Sequence, residues 1–153
     1  MLINPERASL VSGSSEGKSE LEAIDNAMLE AGIGNLNIVE VSSVIPSKCK
    51  IVDLPETEPG TITPAAVAKK STEKNGSKIS ASVAVALSKD SHGMISEFRG
   101  VGLKENEAEK KSISIVKNMM RERNLSINKI RTATASHRVK NIGAVIAAVV
   151  LLH

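Results

Sequence analysis

The order of apolar and polar residues predicts an α+β protein in which two mainly antiparallel sheets are covered by helices. Three observations carry this. Strand-like stretches outnumber helical ones, and helical periodicity is confined to residues 20–31 and 106–123. Ile79–Leu87 alternates so cleanly that each face of that strand needs its own cover. Two sheets covered by helices would use all these faces. With 153 residues the chain is one domain by length and can bury a core without disulfide or metal staples.

The first strand is expected at Ala8–Val11, followed by the polar run Ser12-Gly13-Ser14-Ser15-Glu16-Gly17-Lys18-Ser19, read as a turn. This run imitates a phosphate-binding loop but fails its spacing. Three residues separate Gly13 from Gly17 where four are needed, and Glu16 sets a carboxylate among the amides. Ser19 and Glu22 form a capping box for a helix over Glu20–Ala31, with Gly32 as its stop. Leu21, Ile24 and Met28 define the apolar face of that helix. Asp25 falls on its rim, where a carboxylate needs a structural partner or else lines a pocket that receives a cation.

Gly32–Pro46 reads GIGNLNIVEVSSVIP: flexible residues, a strand over Leu36–Val41, then two serines before Val44, Ile45 and a proline. Two hydroxyls at the end of an apolar strand belong either to a solvated turn or to a nucleophile aimed at the neighbouring peptide bond. The residues alone leave both open. Residues 53–77 carry Pro55, Pro59, Gly60 and Pro64 and then a Lys-rich run, which predicts a long polar connection with one short strand at Ala65–Ala68.

In Ile79–Leu87, the second face consists of Ser80, Ser82, Ala84 and Ala86, small enough to pack closely against another sheet or subunit. Met94–Val101 returns as its antiparallel partner. There Glu97 shares a face with Ile95 and Arg99, and composition favours an exposed Glu97–Arg99 ion pair. Asn106–Arg123 is a helix with a stripe of Ile113, Val116, Met119 and Met120. Ser126–His137 is a strand, and Ile142–Leu152 a buried central one.

Composition excludes several classes. Phe98 is the only aromatic residue, so the core is aliphatic, and no Tyr or Trp is present for bases to stack on. The net charge of +3 permits an acidic partner without requiring one, and no nucleic acid is expected. Cys49 is alone, and His92, His137 and His153 are scattered without ligand spacing, so no metal is expected. The N-terminal MLINPERASL carries charges and a proline where a signal peptide is apolar, and Ile142–Leu152 is too short to span a bilayer. These features predict a cytoplasmic protein without a membrane partner.

Six stretches, in order and spacing, resemble pyruvoyl-dependent arginine decarboxylase: SLVSGSSEG from Ser9, AIDNAMLEAGIGNLN from Ala23, VSSVIP from Val41, ISASVAVALSKD from Ile79, GMISEFRG from Gly93 and IGAVIAAV from Ile142. The resemblance covers most of the chain except the middle loop, where Ala65, Ala66 and Val67 stand in place of the family's aromatics. It implies an αββα sandwich assembled as a homotrimer, with sites between subunits. It implies that residues 1–153 form one domain that cuts itself between Ser42 and Ser43 into chains 1–42 and 43–153. Ser43 Oγ would attack the Ser42 carbonyl, and Ser43 would end as a covalent pyruvoyl group, the cofactor.

The implied activity is decarboxylation of L-arginine to agmatine and CO2, a step of polyamine biosynthesis. Residue by residue, Glu97 is implied as proton donor, Asp25 as partner of the substrate guanidinium, and Asn37 as stabiliser of the oxyanion during cleavage. Asn37 and Ser43 are six residues apart, about 20 Å in a straight strand. Asn37 is therefore expected to serve a neighbouring subunit's Ser43 unless the segment folds back. An unprocessed structural or regulatory relative, or a decarboxylase for another cationic amino acid, remains the alternative.

Overall fold

The fold is seen in a computed structural model that describes residues 2–153. The chain starts with β1 (Arg7–Glu16) and α1 (Glu20–Glu30), then runs through three short strands, β2 (Asn37–Glu40), β3 (Val44–Ile45) and β4 (Lys50–Ile51). The long strands β5 (Ile62–Thr72), β6 (Lys78–Leu87) and β7 (Gly93–Val101) follow, then α2 (Glu105–Glu122), β8 (Lys129–Arg138) and β9 (Gly143–Leu152). One sheet has the order β2-β5-β9-β1-β4 and the other β3-β7-β6-β8. The only parallel pairings in these ladders are the short β1/β4 and β2/β5, among the described residues. The architecture is the α+β sandwich expected, a helix outside each of two facing sheets.

Alternation explains the layers. Val145, Ala147, Val149 and Leu151 of β9 enter the core between the sheets, with Ile79, Ala81, Val83 and Val85 of β6 opposite. The other face of β9, Ala144, Ile146, Ala148 and Val150, packs under α1. β9 is thus apolar on both faces and central in its sheet, as its sequence predicts. No aromatic ring is needed, because alanines let the layers approach closely.

Four expectations are revised. The polar run after Val11 is not a turn: β1 continues to Glu16, paired with β9 through Glu16↔Gly143. Gly13 allows this, since a side chain there would collide with the backbone of Ala27 in α1 and of Ala31 at its C-cap. The buried side of α1 is Ala23 and Ala27, flanked by Ile24 and Met28, while Leu21 is 77% exposed. Small residues, not the largest ones, set the contact because α1 lies so close to the sheet. The middle segment holds the eleven-residue β5 rather than a short strand. Pro64 is accommodated because it precedes the first β5/β9 pair, Ala65↔Val150. Finally, the small face of β6 meets neither a sheet nor another subunit but α2. There Ser82 Oγ lies 2.8 Å from Ser112 Oγ and 2.7 Å from Thr134 Oγ1, and Ala84 and Ala86 meet Val116 and Met120.

The caps follow the sequence. Ser19 Oγ accepts from the Glu22 amide at 3.2 Å, and Gly32 takes a positive φ of 85° just beyond the helix end. No helix among the described residues is long and apolar enough to cross a membrane.

Candidate active site

The segment between β2 and β3 crosses from one sheet to the other. Val41 N–H donates to the Ala65 carbonyl on the first sheet, and the Ser43 carbonyl accepts from Ile95 N–H at 2.7 Å on the second. The Ser42–Ser43 peptide therefore lies at the crossing, where neither ladder continues through it. The break in apolar pattern at Val41-Ser42-Ser43-Val44 is the local reason: β2 ends at an edge and β3 begins at another. Ser42 is exposed and Ser43 half-buried.

Ser43 Oγ donates to Glu97 Oε1 at 3.3 Å. Glu97 is carried by β7, the strand beside β3, where Val44↔Met94 and Ile45↔Gly93 fix the register. A residue 54 positions away is thus brought to Ser43 by one short strand pairing. Desolvation raises the Glu97 pKa above the ordinary carboxylate value; the Ser43 hydrogen bond opposes the rise and the negative charge of Glu40 adds to it. Glu97 is solvent-accessible in the single chain, yet its environment favours the neutral acid. The expected ion pair with Arg99 does not form among the described residues; the carboxyl turns to Ser43 instead.

Glu97 lines a cavity of about 350 Å³ with Glu40, Val67, Ala68, Lys69, Phe98 and Arg99. The volume lies within the range of small-molecule sites, roughly 300–1,000 Å³. Of these lining residues, Lys69 donates from Nζ to Glu40 Oε1 at 2.9 Å. Glu40 and Lys69 escaped the sequence reading. Lys69 lay in a stretch read as loop, and Glu40 became a candidate only once β5 was seen to pair beside β2.

The other two expected residues are not gathered here. Asn37 opens β2, is exposed, and its Nδ2 donates to the Gly60 carbonyl at 2.8 Å. Asp25 is exposed on α1 and does not line this cavity. Neither hydrogen bond nor ion pair holds it among the described residues, so the structural partner a buried carboxylate would need is not required.

A hydroxyl at a sheet crossing, hydrogen-bonded to a carboxyl kept towards its neutral form beside a cavity, defines an acid–base site built around a serine. The family model for pyruvoyl-dependent arginine decarboxylase matches residues 7–153, and the chain belongs to that family. The similar pyruvoyl-dependent arginine decarboxylase of Methanothermobacter thermautotrophicus is 40% identical over 95% of this chain and 96% of its own. That of Thermococcus sibiricus is 39% identical over 97% and 96%, and that of Methanocaldococcus jannaschii 38% over 96% and 90%.

The pyruvoyl group this family implies fits the residues present. It would derive from Ser43 itself, whose hydroxyl donates to Glu97, one of the residues lining the cavity.

Proposed function

We propose that this chain decarboxylates L-arginine to agmatine and CO2 after cutting itself between Ser42 and Ser43. The observation that carries the reading is the Ser43–Glu97 hydrogen bond beside the cavity, in a chain of this family. In the uncut chain, Ser43 Oγ attacks the Ser42 carbonyl carbon. The acyl group moves from nitrogen to oxygen and the freed nitrogen takes the hydroxyl proton. β-Elimination of the resulting ester releases the Ser42 carboxylate and leaves dehydroalanine at residue 43, which tautomerises to an imine. Water adds to the imine carbon and ammonia leaves, giving a ketone at residue 43. Processing yields chains of residues 1–42 and 43–153.

A ketone conjugated to an amide supplies the electron sink that decarboxylation requires. The remaining work falls to side chains. Glu97, whose pKa is raised by desolvation, delivers a proton to the substrate α-carbon as CO2 leaves. Asp25, an exposed carboxylate without a partner among the described residues, receives the guanidinium. Asn37, whose amide sits on an exposed edge strand, stabilises the oxyanion of the Ser42 carbonyl during cleavage.

Asp25 and Asn37 lie apart from the cavity that Glu97 lines, so the complete site is assembled between copies of the chain in a homotrimer of processed units. Val44 on β3 (45% exposed) and Val39 on β2 (49%) flank the crossing, and a neighbouring copy would cover them. The processed trimer acts on a small amino acid in the cytoplasm and needs no nucleic acid.

The test is incubation of purified protein with arginine, lysine and ornithine, with chromatography of the amines formed. Agmatine from arginine, and far less product from the shorter ammonium substrates, is expected. Product from lysine or ornithine at a comparable rate overturns the substrate assignment, and no amine from any of them overturns the activity.

A further inference from the structure

Two carboxylates face one cavity under unequal conditions. Glu40, at the end of β2, has a cation 2.9 Å away in Lys69, whereas among the described residues Glu97 on β7 has only the Ser43 hydroxyl at 3.3 Å. The other charged group lining the cavity is Arg99, two residues further along β7. The residue paired with Glu97 on β6 is the buried Val83, so that side contributes no charge. When two acids share a site, the one with a counter-ion stays ionised and its charge opposes ionisation of the other. Lys69 therefore decides which carboxyl carries the charge.

We propose that Glu40, held by Lys69, is a positioning residue that keeps Glu97 in its protonated, proton-donating form and so sets the alkaline limit of the activity. The inference rests on the reading of Glu97 as proton donor and adds what controls it. The negative charge of Glu40 raises the Glu97 pKa, in agreement with the geometry. Lys69 and Glu40 are both about half exposed, 46% and 56%, so their pair contributes little to stability and its loss leaves the fold intact.

The two partners give opposite signs. Glu40→Gln keeps the shape and the hydrogen bond to Lys69 but removes the charge, so Glu97 should titrate at lower pH. Lys69→Met leaves Glu40 without its counter-ion, so the pair should resist full ionisation and Glu97 should titrate at higher pH. The first readout is independent of activity. In full-length Ser43→Ala protein labelled with ¹³C at glutamate carboxyls, the Glu97 resonance is assigned by its absence in Glu97→Gln and followed through pH. The second is the pH profile of kcat in the processed enzyme, whose alkaline limb should move down for Glu40→Gln and up for Lys69→Met. A general loss of structure would move both variants the same way.

An unmoved Glu97 midpoint and limb in both variants, with Glu97→Gln inactive, overturns the role of Glu40 and leaves the donor assignment standing. Parental decarboxylation by Glu97→Gln overturns the donor assignment itself, and with it the claim that Glu40 limits activity through Glu97.

Discussion

Replacing Glu97 by Gln separates making the prosthetic group from using it. The amide preserves the size of the side chain and still accepts from Ser43 Oγ, a contact that is long at 3.3 Å and partly solvated. Removing a carboxyl that is desolvated and faces Glu40 also relieves a like-charge interaction. The stability change should stay within about 0.5 kcal/mol, as for surface substitutions. Chemistry responds on another scale. Loss of a positioned acid costs roughly 10²–10⁴-fold, about 2.7–5.4 kcal/mol of barrier. Since the second range exceeds the first several-fold, unfolding cannot account for the expected loss.

Three assays on one preparation decide the matter: intact mass for processing, a thermal melt for the fold, and single-turnover agmatine release for chemistry. Two chains should form at the parental or a reduced rate, because the Gln side chain can still accept the Ser43 hydrogen bond but does not reproduce that 3.3 Å contact in full. The melt should be unchanged and agmatine nearly absent. In the parent, activity should fall as pH rises through the elevated Glu97 pKa, and Glu97→Gln should lose that limb. Parental agmatine release by processed Glu97→Gln would refute the reasoning.

Asp25→Asn should process normally and raise KM for arginine about 10–100-fold, the effect of losing a charged hydrogen bond, with kcat changed less; an unaltered KM places guanidinium recognition elsewhere. Val44→Asp should shift the protein from trimer to smaller species in sedimentation, and a monomer that still cleaves at full speed contradicts sharing between subunits. The Glu16 carboxylate ties the sheets together, with Oε1 accepting from Asn141 and Lys140 amides at 2.7 and 3.1 Å and Oε2 lying 2.6 Å from His137 Nε2. Burial alone would raise its pKa, but the Asn141, His137 and Lys140 bonds outweigh it and lower the value. A lowered folded pKa means stability present above the ordinary glutamate pKa and lost as pH falls through the folded one. Glu16→Ala should therefore melt several degrees lower at neutral pH, from about 1–2 kcal/mol, with the gap closing in acid; a gap independent of pH refutes the charge argument.

Much of this was legible because the decisive signals are local. The period-two run Ile79–Leu87, the Ser19–Glu22 cap and the doubly apolar Ile142–Leu152 each specify an element from within. What the sequence hid depends on partners distant along the chain. β5 looks like a loop because Pro64 and Lys69-Lys70 suit a solvated turn, and only pairing with β9 makes them a strand. Leu21 looks like core because it is large, yet a close approach of α1 to β1 at Gly13 selects alanines. The Ser43–Glu97 contact depends on the two-residue β3, too short to carry a pattern of its own. Glu97 was named through family resemblance, while Glu40 and Lys69, a pair across two strands, needed the sheet order to be seen at all.

The claim on which the rest stands is that Ser43 becomes the prosthetic group. Intact-mass spectrometry of purified protein, beside Ser43→Ala, tests it directly. Two chains should appear, ending at Ser42 and beginning at residue 43, with summed mass equal to the precursor plus one water minus one ammonia, while Ser43→Ala remains a single chain. A cut elsewhere, such as Ser14-Ser15, or a single uncut chain that releases agmatine from arginine, would contradict the account.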